Sequence, residues 1–301
     1  MGTNEQLTNV IDPKDLEFGD FIGSGASGSV YLATYKPTNT VIAVKSINLY
    51  DKNLRKQFKN DLRVLSDNKC FNLVRFYGAF FSEGNVKILL EYMNLGSLDR
   101  VIETINKKNL KVPFIPEIVL SQMTYQILLG LKYLHKVKHQ IHRDIKPGNI
   151  LINTDGIVKL TDFGIAKSLH STKYLSHTYI GSQNFMSPER ISGKEYGYPS
   201  DIWSVGLVVY ELANGKNPYE KGNDILMQIV NIVDGEEPSM NSTNFSKELC
   251  DFVSICLKKE PKERGNVEEL LQHEFISKYI GQENKIPEYL ALLFDYMIID
   301  S

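Results

Sequence analysis

The hydrophobic period changes once along this chain, near Gly96-Ser97-Leu98, and that change divides 301 residues into a strand-rich part followed by a helix-rich part. Upstream, the runs Phe18 to Ile22, Ser29 to Tyr35, Val41 to Ile47, Phe76 to Phe81 and Val86 to Met93 are rich in β-branched and aromatic residues and read as strands. Lys36-Pro37-Thr38-Asn39 and Ser82-Glu83-Gly84-Asn85 read as hairpin loops, so neighbouring strands pair antiparallel without crossover helices. One helical stretch interrupts them. From Leu54 to Leu65 the apolar residues Leu54, Phe58, Leu62 and Leu65 fall within about 80° of arc and form a core-facing stripe. Downstream, helical periodicities run over Ile118 to Leu134, Ile202 to Ala213, Ile225 to Val233 and Lys247 to Leu257, with two short strands, Ile150 to Ile152 and Val158 to Leu160, around the turn Asn153-Thr154-Asp155-Gly156. The class is α+β, with a small antiparallel-sheet lobe (16–93) carrying one helix and a larger, mostly helical lobe (94–280). An extension (1–15) precedes them and a tail (281–301) follows.

Composition places few further limits. A formal net charge of −2 gives no basic field to hold a nucleic-acid backbone or an anionic membrane, so neither is an expected partner. No run of apolar residues is long enough to span a bilayer and no signal peptide opens the chain. Met1-Gly2 suggests myristoylation, but Gln6 stands where that pattern requires Ser or Thr. The three cysteines, Cys70, Cys250 and Cys256, lack paired metal or redox spacing and read as reduced thiols of a cytoplasmic or nuclear protein.

Gly23-Ser24-Gly25-Ala26-Ser27-Gly28-Ser29-Val30 matches GxGxxGxV, a pattern that fits a dinucleotide-binding turn, a nucleotide-covering hairpin or an unliganded loop. The following residues discriminate: Val30 to Tyr35 alternates like a strand, whereas a dinucleotide fold needs a helix there. The glycines then sit at a hairpin tip where backbone N–H groups can approach phosphate oxygens. Lys45 ends the next apolar strand. A lysine there is most often a solvated edge charge, but Asp61 lies beside the apolar stripe of the Leu54 to Leu65 helix and offers Lys45 a carboxylate partner.

Ile141-His142-Arg143-Asp144-Ile145-Lys146-Pro147-Gly148-Asn149 and then Thr161-Asp162-Phe163-Gly164 complete a series. Taken in this order after the glycine loop and Lys45, they resemble the signature set of the protein kinases, over roughly residues 16 to 280. The resemblance implies a bilobal kinase fold, an activation segment over 162–189, and ATP and Mg²⁺ as cofactors. It assigns Asp144 to the substrate hydroxyl proton, Lys146 to the moving phosphoryl group, Lys45 to the α- and β-phosphates, and Asn149 and Asp162 to Mg²⁺. Ile22, Gly23, Gly25 and Gly28 would cover the nucleotide. Val30, Ala43 and Leu151 would sandwich adenine, Leu90 would guard the back pocket, and Glu91, Tyr92 and Met93 would supply hinge backbone.

The stretch Gly181-Ser182-Gln183-Asn184-Phe185-Met186-Ser187-Pro188-Glu189-Arg190 resembles the GTxxYMSPER of the mitogen-activated protein (MAP) kinase kinases, with Ser182 for Thr and Phe185 for Tyr. That resemblance implies a dual-specificity kinase that phosphorylates Thr and Tyr of the TxY motif of a downstream MAP kinase and answers to an upstream MAP kinase kinase kinase. It pairs Glu189 with Arg264, has Ser182 hydrogen-bond Asp144 and Lys146, and puts Thr178 at one activating phosphosite; a spacing of four would place the other at Tyr174 and a spacing of six at Thr172, and Thr172 with Thr178 is the choice, with Arg143 as a phosphate donor. The family places Glu where this chain has Asp61, one methylene shorter. A Ser/Thr kinase with other substrates and a pseudokinase scaffold are the rival readings; the intact set of Lys45, Asp144, Asn149 and Asp162 speaks against the latter. The apolar tail from Pro287 to Ile299 should form a helix after Pro287 that packs on the C-lobe, another subunit or a partner.

Overall fold

A computed structural model describes residues 11–25, 28–48, 68–82, 84–107, 115–162, 182–220 and 224–297. Five strands, β1 (Leu16–Gly25), β2 (Gly28–Tyr35), β3 (Thr40–Asn48), β4 (Phe76–Ser82) and β5 (Asn85–Glu91), form one antiparallel sheet in the order β1-β2-β3-β5-β4. Both expected hairpins are present, and the glycine motif closes the β1–β2 hairpin with Gly25 opposite Gly28. At Gly28, with φ of 139°, an added Cβ would meet the Ser46 carbonyl oxygen at 2.1 Å, so only glycine fits.

Alternation along β3 sorts the two faces of the sheet. Ile42 and Val44 pack with Ile11, Leu16, Ala33 and Leu89 in a small outer core. Ala43 and Lys45 therefore point the other way. Their cross-strand partners, Leu32 and Leu90 for Ala43 and Val30 and Ile88 for Lys45, share that face. The strand expected to run to Met93 stops at Glu91. Ile42 is the last β3 residue to pair with β5, so Tyr92 and Met93 have no strand to bond, and the chain turns with Gly96 N–H donating to the Met93 carbonyl at 3.0 Å. The Leu54 to Leu65 helix lies outside the described residues.

The second lobe is built on α1 (Leu98–Lys107), α2 (Glu117–Lys132), α3 (Pro188–Ile191), α4 (Tyr198–Asn214), α5 (Ile225–Val233), α6 (Lys247–Cys256), α7 (Val267–Gln272), α8 (Glu274–Ser277) and α9 (Ile286–Met297), with the hairpin β6 (Ile150–Ile152) and β7 (Val158–Leu160). One helix expected over Ile118 to Leu134 starts at Glu117 and passes after Lys132 into a π turn, Tyr133–Val137. α4 is buried almost all round, with Trp203, Val205, Leu207, Val208, Val209 and Leu212 in the core, and ends at Gly215 in the left-handed conformation (φ 77°). Side-chain caps fix several helix starts. The Asp224 carboxylate accepts from Leu226 N–H at 3.0 Å, Ser246 Oγ accepts from Leu249 N–H at 3.2 Å, and Asn266 with Glu269 makes a reciprocal capping box.

The tail helix α9 starts at Ile286, one residue before Pro287, and packs on α1 and α2. Ile286, Leu290 and Leu293 are buried in the lobe's core. Gly156 in the β6–β7 turn (φ 73°) lies beneath it: an added Cβ would come within 2.7 Å of Pro287 Cδ. Among the described residues no helix is long and apolar enough to cross a membrane.

Candidate active site

The inner face of the sheet forms one wall of the site. Val30, Leu32, Ala43 and Leu90 supply apolar surface there, and Lys45, buried at 7% exposure, projects from the same face. A buried ammonium needs a counter-charge. Lys45 Nζ donates to both carboxylate oxygens of Asp162, at 2.7 and 2.5 Å. Asp61, the partner expected from the sequence, lies outside the described residues, so the observed partner is instead the aspartate that follows β7.

The opposite wall is the loop from His142 to Asn149, which ends in a short 3₁₀ turn, Pro147–Asn149, leading into β6. Asn149 Nδ2 donates to the Asp144 backbone carbonyl and to its carboxylate Oδ2, both at 2.7 Å, while Lys146 Nζ lies 3.0 Å from the same Oδ2. Burial pushes the Asp144 carboxyl up, but the charge and hydrogen bond of Lys146, helped by Asn149 and His142, prevail and hold it below its ordinary value. Asp144 is therefore an ionised acceptor near neutral pH. In β6, Ile150 and Ile152 are buried in the core while Leu151 between them is part-exposed.

Two non-glycine residues of the site have left-handed backbone: Arg143 (φ 73°) and Asp162 (φ 61°). Such conformations cost about 1–3 kcal/mol each and persist only where the surroundings enforce them. For Arg143 the enforcing group is Asp201 at the start of α4. Its carboxylate accepts from the backbone N–H groups of His142 (2.8 Å) and Arg143 (2.9 Å) and bonds His135 Nε2 at 2.8 Å. Burial pushes Asp201 up, yet the His135 and His142 contacts and the Arg143 N–H keep it below its ordinary value.

The described end of the expected activation segment is bolted to the C-lobe. Ser187 Oγ and Ser200 Oγ share a hydrogen bond at 2.7 Å, Ser204 Oγ donates to the Phe185 carbonyl at 2.8 Å, and Glu189 meets Arg264 in a two-pronged ion pair at 2.8 Å on each prong. This is the pairing expected from the resemblance. Thr172 and Thr178, like Phe163 to Gly181 as a whole, lie outside the described residues, as does the Ser182 side chain. Arg143 Nε is buried and has no hydrogen-bond partner among the described residues.

Two parts of the site were not anticipated. Asp201 is one, since no local pattern in the sequence of α4 singles it out as the acceptor for the loop. The Glu91 carboxylate, at the end of β5, accepts from Lys159 Nζ at 2.8 Å on both oxygens and from Arg75 N–H at 3.1 Å, tying the first lobe to β7 of the second. The Glu91 backbone N–H is also engaged, by the Arg75 carbonyl at 2.9 Å.

The donor set suits a hard cation. Asn149 spends its amide N–H groups on Asp144, which leaves its Oδ1 as an acceptor, and Asp162 offers a carboxylate. Magnesium is commonly held by one or two such oxygens with substrate phosphates and water completing the shell.

A family profile described as "Protein kinase domain" matches residues 16–276. The chain is 42% identical over 272 residues to "Mitogen-activated protein kinase kinase 2" of Arabidopsis thaliana, which covers 88% of this chain and 73% of that protein. It is 40% identical over 277 residues to "Mitogen-activated protein kinase kinase 3" of the same plant (91% and 52%), and 39% identical over 286 residues to "MAP kinase kinase PBS2" of Saccharomyces cerevisiae (92% and 42%). This chain thus spans about half the length of the last two relatives.

Proposed function

Because the chain belongs to the protein kinases and, within them, to the MAP kinase kinases, we propose that it is an ATP- and Mg²⁺-dependent dual-specificity kinase that phosphorylates Thr and Tyr in the TxY motif of a MAP kinase. The observation that carries this reading is the Asp144 carboxylate, kept ionised between Lys146 and Asn149 and within one site with the Lys45–Asp162 pair.

In this reading Asp144 accepts the hydrogen bond of the substrate hydroxyl and orients its oxygen, and Lys146 neutralises charge on the phosphoryl group as it moves. Lys45 binds the α- and β-phosphates. Asn149 Oδ1 and the Asp162 carboxylate hold Mg²⁺, which when bound supplies positive charge at the phosphate oxygens. Val30, Ala43, Leu90 and Leu151 enclose the adenine, with Ile22, Gly23, Gly25 and Gly28 over the phosphates and Met93 offering hinge backbone. Asp61 is the second carboxylate partner of Lys45 in the active state.

Activation follows phosphorylation of Thr172 and Thr178 by an upstream MAP kinase kinase kinase. The unpartnered Arg143 Nε supports this, because a buried guanidinium N–H lacking an acceptor suits a dianionic phosphate. Incubation with Mg-ATP and a panel of inactive MAP kinases should yield doubly phosphorylated TxY in at least one of them. Thr172→Ala combined with Thr178→Ala should abolish the gain from an upstream kinase. Phosphate found on Ser or Thr of unrelated proteins with no TxY product would refute dual specificity, and activating phosphate mapped only to Ser171, Tyr174 or Ser176 would refute the phosphosite assignment.

A further inference from the structure

The peptide unit between Arg143 and Asp144 is the last piece of backbone before the proposed substrate-orienting carboxylate, and it hangs from a residue in a left-handed conformation. Asp201 holds only the N–H side of Arg143. The carbonyl side is held from a different element: Arg190 Nη1, on α3, donates to the Arg143 carbonyl at 2.6 Å, a short charge-assisted bond. Rotation of this peptide would carry the carbonyl away from Arg190 and re-aim the Cα–Cβ bond of Asp144.

Arg190 is well placed to resist that rotation because its own base is fixed. Its neighbours Ser187 and Glu189 are anchored to Ser200 and to Arg264, and its guanidinium stacks 5.3 Å above the ring of Tyr196. The four residues of α3 thus face two ways, Glu189 into the C-lobe core and Arg190 towards the catalytic loop. We infer that Arg190 is a positioning residue for phosphoryl transfer, acting on Asp144 through the Arg143 carbonyl. The inference rests on the reading of Asp144 as the group that orients the substrate hydroxyl. It also means that the chain segment bearing the candidate phosphosites ends in a side chain that grips the catalytic loop.

The test compares wild type, Arg190→Met, Arg190→Lys and Asp144→Asn at matched phosphorylation, measuring kcat, KM for Mg-ATP and the melting temperature. Arg190→Met should lower kcat about tenfold with KM for ATP within about twofold, since a misaimed carboxylate costs the chemical step and not nucleotide binding. Arg190→Lys should restore most of kcat, because an ammonium can still donate to the carbonyl. Asp144→Asn should be nearly inactive. An unchanged kcat in Arg190→Met beside an inactive Asp144→Asn overturns the inference and leaves the reading of Asp144 standing; a wild-type kcat in Asp144→Asn overturns that reading itself. A kcat loss that lysine does not restore, or one accompanied by a large fall in melting temperature in both Arg190 variants, reduces Arg190 to a folding role and also overturns the inference.

Discussion

Arg264→Met probes how the end of the activation segment is fastened to the C-lobe. Arg264 is buried, and every arm of its guanidinium is used: Nη1 and Nη2 bond the two Glu189 oxygens at 2.8 Å, Nη1 also reaches the Pro199 carbonyl at 3.0 Å, Nη2 the Lys259 carbonyl at 3.0 Å, and Nε the Lys258 carbonyl at 2.7 Å. Methionine keeps much of the volume and removes all five bonds. The Glu189 carboxylate, itself only 6% exposed, is left as an uncompensated charge. Breaking a buried pair by removing one partner costs about 4 kcal/mol, which at about 2–4 °C per kcal/mol predicts a fall in melting temperature of about 10 °C.

The pH dependence separates this charge effect from simple loss of packing. Burial pushes the Glu189 carboxyl up, but the hydrogen bonds and charge of Arg264 prevail and hold it below its ordinary value of 4.5. A depressed carboxyl stabilises the fold above its unfolded value and loses that contribution as pH falls through the lower folded value. In Arg264→Met the same carboxyl keeps the burial, the first of the influences on it, against only the smaller hydrogen bonds from its own backbone N–H and Ser187, so it penalises the fold at neutral pH and ceases to do so once protonated. The gap between wild type and variant should therefore be widest near pH 7 and narrow in acid. Calorimetric melting of both proteins over that range is the assay. A fall of under about 3 °C near neutral pH, or a gap that does not narrow in acid, would show that the pair is not a major tether. Replacing both residues, Glu189→Leu with Arg264→Met, should recover part of the loss but not all, because three backbone carbonyls stay without their donor.

Other substitutions address the cleft and the tail. Lys45→Met should lower kcat by about 10²–10³ or more, by removing a preorganised charge; retention of wild-type turnover would contradict the assignment of Lys45. Gly156→Ala forces a left-handed φ on alanine and drives its Cβ towards Pro287, so α9 should loosen, read as faster proteolytic cleavage between residues 281 and 286 and a loss of about 1–3 kcal/mol. Truncation before Ile286 should expose the seats of Ile286, Leu290 and Leu293 and cause aggregation; a truncated protein that stays monomeric and melts normally would contradict the burial argument.

What could be read from the sequence is what physics writes locally. Period-2 runs with Pro-Thr-Asn and Glu-Gly-Asn turns specify antiparallel hairpins directly, whereas the unbroken apolar run in β3 left its two faces to be separated by the structure. Asp144, Lys146 and Asn149 stand out through the resemblance of their short loop to the kinase signature, and the structure brings them within hydrogen-bonding distance of one another. The pairing of Glu189 with Arg264, 75 residues apart, came through resemblance and not through any local pattern.

Long-range polar contacts write no such pattern. Glu91 and Lys159 are 68 residues apart, and each alone reads as a strand-end charge on a solvated edge. Asp201 is harder still. Helical periodicity identifies a helix by contrast between an apolar and a polar face, and α4, buried nearly all round, offers no contrast by which to say where its aspartate points. Its meaning appears only when the loop it braces is in place: two consecutive backbone N–H groups, one on a left-handed residue, need an acceptor, and a carboxylate at the start of the most buried helix can supply one without meeting water. The same reasoning applies to Arg190, whose sequence neighbours Pro188 and Glu189 absorb attention as a motif while its side chain bonds the peptide unit on the far side of Arg143 from the one that Asp201 holds. A residue held in a strained conformation next to a catalytic group needs restraint on the peptide units at both its sides, and here Asp201 and Arg190 supply the two restraints from different elements.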